Sequence, residues 1–268
     1  RYHQMIGGVS MSFYDYYTDL PSAHPEVWGE QTDVSESADW YHSGYVVVTG
    51  ATPNRTRTPD AHFISELRHG GAKLVVMTPD FSETAKYADL WVPVKPGSDG
   101  AIWMAINHVI LKEFYVDRQV PYFVDYSKNY TDLPHLIKLR KTKNGLEMGR
   151  FLIAKDLKDY ADTDNNEWKY AMWDAKANKA RITYGGIGYR WAKEKDSHGK
   201  WNTLIKDGKT NETFDPSLSI LDIKDEAVEC AFYELDSGEV YKRQVPVKYI
   251  ETATEGRIPV TTVFDMQM

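Results

Sequence analysis

The sequence predicts an α/β fold, a doubly wound and mostly parallel sheet followed by a more irregular, loop-rich C-terminal half. Three observations lead there. Apolar, β-branched runs at 45–50 (YVVVTG), 73–79 (KLVVMTP) and 90–94 (LWVPV) fit parallel strands buried on both faces. Each is followed by a polar loop, and helical spacing follows in turn, which is the alternation of an open α/β sheet. Near residue 145 the chain changes to polar stretches with scattered tryptophans, so the expected parts are 1–145 (α/β) and 146–268 (loops and strands).

Taken in order, residues 5–12 fit a strand or a loop entering one, and 13–33 an aromatic-rich loop. Residues 35–40 suit a short helix with Ser35 as N-cap. A helix is expected over 60–69, with Ala61, Ile64 and Leu67 at helical spacing and Gly70-Gly71 ending it. A short helix is expected at 83–88. A long one follows Pro96-Gly97-Ser98-Asp99, with Ile102, Ala105, Ile106, Val109, Ile110 and Phe114 on an apolar face. Residues 131–141 read as a helix with a basic end. Residues 156–208 read as loops and hairpins around Trp168, Trp173, Trp191 and Trp201, and 228–235 and 245–250 as strands.

The formal net charge of −7 over 268 residues argues against a nucleic-acid-binding surface, which is normally basic. No apolar run reaches the length of a membrane span. The single cysteine, Cys230, leaves no internal disulfide and no cysteine-held iron–sulfur site within these residues. The chain starts at Arg1 and stops in a strand-like pattern, RIPVTTVFDMQM, so both ends look cut from a longer polypeptide.

Chemistry gathers in two places. The first is residues 6–33. Here Gly7 and Gly8 precede a crowd of aromatics around Asp15 and Asp19, and Trp28-Gly29-Glu30-Gln31 runs on to Asp33. Glycines let backbone approach a large ligand. A carboxylate among aromatics is either a perturbed acid or a ligand for a hard metal ion. A structural aspartate beside Pro21 is the bland alternative; our reading is that Asp19 is a metal ligand.

The second place is the three loops that follow the strands. The first carries Gly50, Thr52, Asn54, Arg55 and Arg57, suited to a pyrophosphate and equally to a solvated loop. The second carries Thr78, Pro79 and Asp80, whose carboxylate can accept from ribose hydroxyls or a guanine edge, or simply cap a turn. The third carries Gly97, Ser98 and Asp99, ahead of the long helix. Repetition of polar loops on one sheet edge favours a ligand, since open α/β sheets bind there. Neither G-x-x-x-x-G-K-[ST] nor G-x-G-x-x-G is present, nor H-E-x-x-H or G-x-S-x-G. His62, His69 and His108 fall in expected helices and read as ordinary surface or core histidines.

The stretches SFYDYYTDLP, WGEQTDVSESADW, TRTPDAHF and TPDFSETAKYADLWVPVKPGSD together resemble one family. It is that of the catalytic alpha subunits of membrane-associated nitrate reductases and nitrite oxidoreductases, in the dimethyl-sulfoxide-reductase superfamily of molybdenum enzymes. Perchlorate, chlorate and selenate reductases, ethylbenzene dehydrogenase and dimethylsulfide dehydrogenase are related. Such subunits are far longer, so the resemblance implies an internal segment.

It implies molybdenum held by two molybdopterin guanine dinucleotides and by the aspartate matching Asp19. The guanosine and pyrophosphate contacts would come from the three loops, and Trp28 to Asp33 would line the cofactor. It implies oxygen-atom transfer on a small oxyanion, with the cofactor carrying the chemistry. A 4Fe-4S cluster would lie in an N-terminal part outside this chain. An iron–sulfur beta subunit and a haem or membrane electron-transfer subunit would be partners in a membrane-associated complex. The chain departs from the family's frequent Gly-Ser-Asn at Gly50-Ala51-Thr52, which removes an amide, and Ser98 stands for a frequent threonine. GSDG and NHVILKEF lean towards the nitrite-oxidising branch. The other class of function is a nucleotide- or partner-binding α/β module, without redox chemistry, that uses the same three loops.

Overall fold

The computed structural model describes residues 5–7, 36–184, 204–234 and 237–268. The fold is mixed α/β: a parallel three-stranded sheet, a closed barrel and a small antiparallel sheet. The described residues up to Gly100 form one compact unit, and Ala101–Met268 form another. Position 145, where the sequence suggested a boundary, opens a strand inside the second unit.

The first unit begins with a 3-10 turn, Ser37–His42, preceded by Glu36 as N-cap in place of the expected Ser35, which lies outside the described residues. Strand β1 (Tyr45–Thr49) leads to the short helix α1 (Pro53–Thr56) and to α2 (Ala61–Glu66). A 3-10 turn, Leu67–Gly70, ends on Gly71, which stands at φ +85° where a Cβ would be strained. Strand β2 (Lys73–Thr78) and strand β3 (Leu90–Pro93) follow, with only a 3-10 turn, Ala85–Tyr87, between them.

The sheet order is β1-β2-β3, all parallel. β2 is buried along its length after Lys73, as its VVM run predicts, whereas β1 and β3 are largely open. They are edge strands among the described residues, so burial on both faces holds for β2 alone. Ile64, Leu67, Leu74 and Val76 centre the core of this unit.

Helix α3 (Asp99–Leu111) is the helix the periodicity predicts, but it passes into a π turn at Lys112–Val116, and of its residues only Leu111 is buried. Helix α4 (Pro121–Tyr130) starts on proline at a first-turn position. The helix expected over 131–141 is instead strand β4 (Leu136–Thr142). Leu133, Leu136 and Ile137 mimic helical spacing, but Ile137 and Leu139 point into the barrel core while Leu136 packs in a second core. That is the period-two alternation of a strand with both faces covered.

β4 pairs with β5 (Gly145–Phe151). At Gly149 a Cβ would sit 2.6 Å from the Lys138 carbonyl oxygen, so only glycine fits the irregularity there. Next come β6 (Ala171–Asp174), β7 (Lys179–Tyr184) and β8 (Leu204–Asp207), which form the antiparallel sheet. Trp173 anchors it from a buried position, as expected, while Trp168 is exposed. Strands β9 (Glu226–Tyr233), β10 (Val240–Glu251) and β11 (Arg257–Thr262) join β4 and β5 in the barrel, in the order β10-β11-β4-β5-β9.

The strand-like C-terminal pattern is only half strand. After β11, Thr262 caps a last helix, α5 (Val263–Gln267), its hydroxyl accepting from the Asp265 N–H at 3.0 Å.

Candidate functional site

The parallel register sets the geometry of the site. Thr49 pairs with Met77 and Met77 with Val92, so the three strands end side by side. Their outgoing loops therefore share the C-terminal edge of the sheet, where open α/β sheets bind ligands. The opposite edge is closed by Asp89. Its carboxylate accepts from the Leu74 N–H at 2.9 Å and pairs with Arg68 and Lys73. The Leu74 hydrogen bond first, then the two cations, hold its pKa below the usual carboxylate value against burial.

The first loop turns at Gly50, at φ +61°, with its N–H donating to the Met77 carbonyl at 3.0 Å. A Cβ there would meet nothing within 4 Å, so the backbone faces open space while its dihedral still demands glycine. Thr52 precedes α1, and its carbonyl accepts the Thr56 hydroxyl at 3.1 Å. Asn54 faces the second loop, taking the Thr84 hydroxyl on its side-chain oxygen at 2.8 Å. Arg55 is exposed and lies 3.9 Å from Glu83. Arg57 closes α1 through its backbone N–H.

The second loop hangs on Thr78. This buried hydroxyl donates to the Asp80 carbonyl at 2.7 Å and accepts from the Trp91 indole at 3.2 Å. The turn leaves Pro79 and Asp80 exposed at the edge. In the third loop, Gly97 stands at φ +86° with open space where a Cβ would be, and the Ser98 hydroxyl donates to the Lys95 carbonyl at 2.6 Å. Asp99 begins α3 from an exposed position.

Of the residues expected from sequence, the structure thus brings Gly50, Thr52, Asn54, Arg55, Arg57, Thr78, Pro79, Asp80, Gly97, Ser98 and Asp99 to one sheet edge. Gly7 is exposed at φ +73°. Gly8, Asp15, Asp19, Trp28, Gly29, Glu30, Gln31 and Asp33 lie outside the described residues. Sequence reasoning missed Phe81, an exposed ring set edge-on to Trp91 with centroids 5.2 Å apart. Its position directly after Pro79-Asp80 was the available signal.

Two glycines facing open space, two arginines, hydroxyls and an exposed aspartate suit a polar, phosphate-bearing ligand with ribose-type hydroxyls. The described edge thus fits the nucleotide arms of a dinucleotide cofactor. Thr78→Val is expected to lower stability by about 1 kcal/mol, because the Asp80 carbonyl loses its partner while the Trp91 indole keeps only the Thr78 backbone carbonyl, at 3.1 Å. Thermal unfolding checks this.

The molybdopterin oxidoreductase family matches residues 1–236. The chain belongs to this family. Among its relatives, the nitrate reductase alpha chain of Bacillus subtilis (strain 168) is 44% identical over 99% of this chain and 21% of the relative. The respiratory nitrate reductase 1 alpha chain of Escherichia coli (strain K12) is 42% identical over 100% of this chain and 22% of the relative. The perchlorate reductase subunit alpha of Dechloromonas aromatica (strain RCB) is 36% identical over 69% of this chain and 18% of the relative. The chain therefore spans about a fifth of the length of these molybdopterin oxidoreductases. Among the described residues there is no cluster of three or more His, Cys, Asp or Glu side chains that could hold a metal ion.

Proposed function

We propose that this chain is part of the catalytic alpha subunit of a molybdenum oxidoreductase that interconverts nitrate and nitrite. The observation that carries the reading is 42–44% identity to nitrate reductase alpha chains over essentially the whole chain. The three loops at one sheet edge support it, since they present the groups a guanine dinucleotide needs. We read the three-stranded parallel sheet as part of a larger doubly wound sheet of the parent.

When bound, molybdenum with bis(molybdopterin guanine dinucleotide) supplies two-electron oxygen-atom transfer. The residues of this chain hold and orient that group. Arg55 and Arg57 face pyrophosphate charge, and Asp80 and Asp99 accept from ribose or base donors. Gly50 and Gly97 let backbone come close, and the aromatics around residues 13–17 exclude water. Asp19 supplies a carboxylate oxygen, a donor suited to a hard, high-valent metal. The 4Fe-4S cluster, the iron–sulfur beta subunit and a haem or membrane electron-transfer subunit belong to the same proposal, in a membrane-associated complex. Among the described residues no helix is long and apolar enough to cross a membrane; membrane attachment through partner subunits is part of the same proposal.

The nitrite-oxidising lean of GSDG and NHVILKEF stays within this proposal, because direction is set by potentials and partners. The test is an assay of the full-length subunit with its partners against nitrate, nitrite, chlorate, perchlorate and selenate. Turnover of nitrate or nitrite at the highest kcat/KM is expected. A clear preference for perchlorate or selenate, or no redox turnover by a metal-loaded enzyme, contradicts the reading.

A further inference from the structure

Phe81 stands at the binding edge, directly after Pro79-Asp80, with 62% of the residue exposed. A single exposed phenylalanine is ordinary. What separates this one is how firmly it is held. The Ser82 N–H donates to the Asp80 carbonyl at 3.0 Å, which closes a γ-turn with Phe81 at its apex. The same carbonyl accepts the buried Thr78 hydroxyl at 2.7 Å. The Phe81 ring packs across Trp91 at 85°, with 5.2 Å between centroids. The Trp91 indole is itself fixed by the Thr78 carbonyl at 3.1 Å. Ser82, the next residue, is buried, so the turn has an inner side and the ring is on its outer one. An exposed ring held in this way contributes little to a core and presents a preorganised flat surface.

The turn is also tied to the first loop. Glu83 lies 3.9 Å from Arg55, and the Thr84 hydroxyl donates to Asn54 at 2.8 Å. The ring therefore belongs to the same edge as the arginines suited to a pyrophosphate. Asp80, beside it in sequence, is exposed. Guanine offers its N1–H and N2–H on one edge, and a carboxylate accepts both, whereas adenine has an acceptor at N1. Every base also has a π face that stacks on an aromatic ring. An arginine for the pyrophosphate, a carboxylate for the base edge and a ring for the base face together serve one nucleotide end.

We propose that Phe81 is the platform on which the guanine of one cofactor arm stacks, with Asp80 accepting from the edge of the same base. The inference rests on the reading of this chain as part of an alpha subunit that holds a guanine dinucleotide. It gives the second loop to the base and leaves the first to the pyrophosphate.

The test uses the full-length subunit, metal-loaded and in its complex. Ultraviolet irradiation joins a stacked base to the ring beneath it, and digestion with mass spectrometry locates the adduct. A guanosine adduct on Phe81 is expected. Adducts only elsewhere, or none on the peptide that carries Phe81, overturn the proposal.

Two variants supply a second readout. Phe81→Leu keeps apolar bulk against Trp91 and removes the π face, whereas Phe81→Tyr keeps both. Each is dialysed at the same margin below its own urea transition, so that a difference in packing alone is matched out. The leucine variant should lose guanine at least about fivefold faster than the tyrosine variant, the lower end of what one base–aromatic stack contributes. Equal rates overturn the proposal. Guanine and molybdenum analysis of the unsubstituted sample separates the two readings. Active subunit with neither sinks the functional reading and this inference with it. Both present, without an adduct on Phe81, sinks this inference alone.

Discussion

Asp19→Ala in the full-length subunit is expected to abolish turnover, lowering kcat by at least about 100-fold, since loss of mere outer-shell support at metal sites costs 10–100-fold. If Asp19 is the ligand proposed above, alanine would leave no donor in place of its carboxylate. Asp19→Glu keeps the donor but lengthens the reach, so it should retain metal and recover only part of the activity. Asp15→Ala is the control: a neighbouring acid that is not a ligand changes turnover by less than Asp19→Ala does. The decisive measurement pairs molybdenum content and the metal's electron paramagnetic resonance spectrum with kcat. A variant with unchanged spectrum and turnover would remove Asp19 from the metal.

The next largest effect is expected from Arg181→Met, at about 3–5 kcal/mol of lost stability, the cost of leaving buried charge unpaired. Arg181 on β7 is buried between Asp174 at the end of β6 and Asp207 at the end of β8. Its Nε lies 2.8 Å from Asp174, pairing charge without the alignment of a hydrogen bond. Its Nη1 bonds Asp207 at 3.1 Å and Glu212 at 2.9 Å. Each aspartate also ties down its own turn. Asp174 accepts from the N–H groups of Lys176 and Ala177, and Asp207 from those of Lys209 and Thr210. Tyr160 donates to Asp207 at 2.5 Å. Removing the guanidinium therefore leaves two buried carboxylates facing each other and loosens two turns at once.

This network also sets an acid limit. Burial raises the pKa of Asp207, but the Tyr160 hydroxyl, the two backbone N–H groups and Arg181 outweigh it and hold it at about 2, below 3.8. A depressed carboxylate pKa stabilises the fold above the unfolded value, and that stability is lost as pH falls from about 4 towards 2. With Arg181 gone, the folded pKa of Asp207 should rise towards the unfolded value, so this acid-linked loss should shrink. Thermal unfolding followed across this range checks both parts. A variant within about 0.5 kcal/mol of the parent, the size of an ordinary surface change, with the same acid profile, would contradict the account.

What the sequence revealed depended on how local the signal was. YVVVT and KLVVMT announce strands because β-branched runs carry their own preference, and the polar loops after them could be placed on one edge by the α/β alternation alone. The barrel was hidden. β4 reads LIKLRKT, where Leu136 and Ile137 together spoil a clean alternation, and although β5 follows it directly, its other partner β11 is set by a pairing across more than a hundred residues. The division after Gly100 falls in the first turn of the helix that starts at Asp99, directly after the Pro96-Gly97-Ser98 loop, which the sequence showed only as a helix start.

In the site, Thr78 was legible as a polar residue at a strand end. That its hydroxyl is shared between Asp80 and Trp91 depends on the register of β2 with β3. The Arg181 network joins residues 160, 174, 181, 207 and 212, each unremarkable in its own stretch.

The most direct test of the central claim is the metal and nucleotide content of the full-length subunit, purified active. The account predicts molybdenum together with about two guanine nucleotides per metal after acid hydrolysis. It further predicts that a double change on the described edge, Arg55→Ala with Asp80→Ala, lowers the guanine content. Active subunit with no molybdenum, or with a guanine content that ignores the edge, would contradict it.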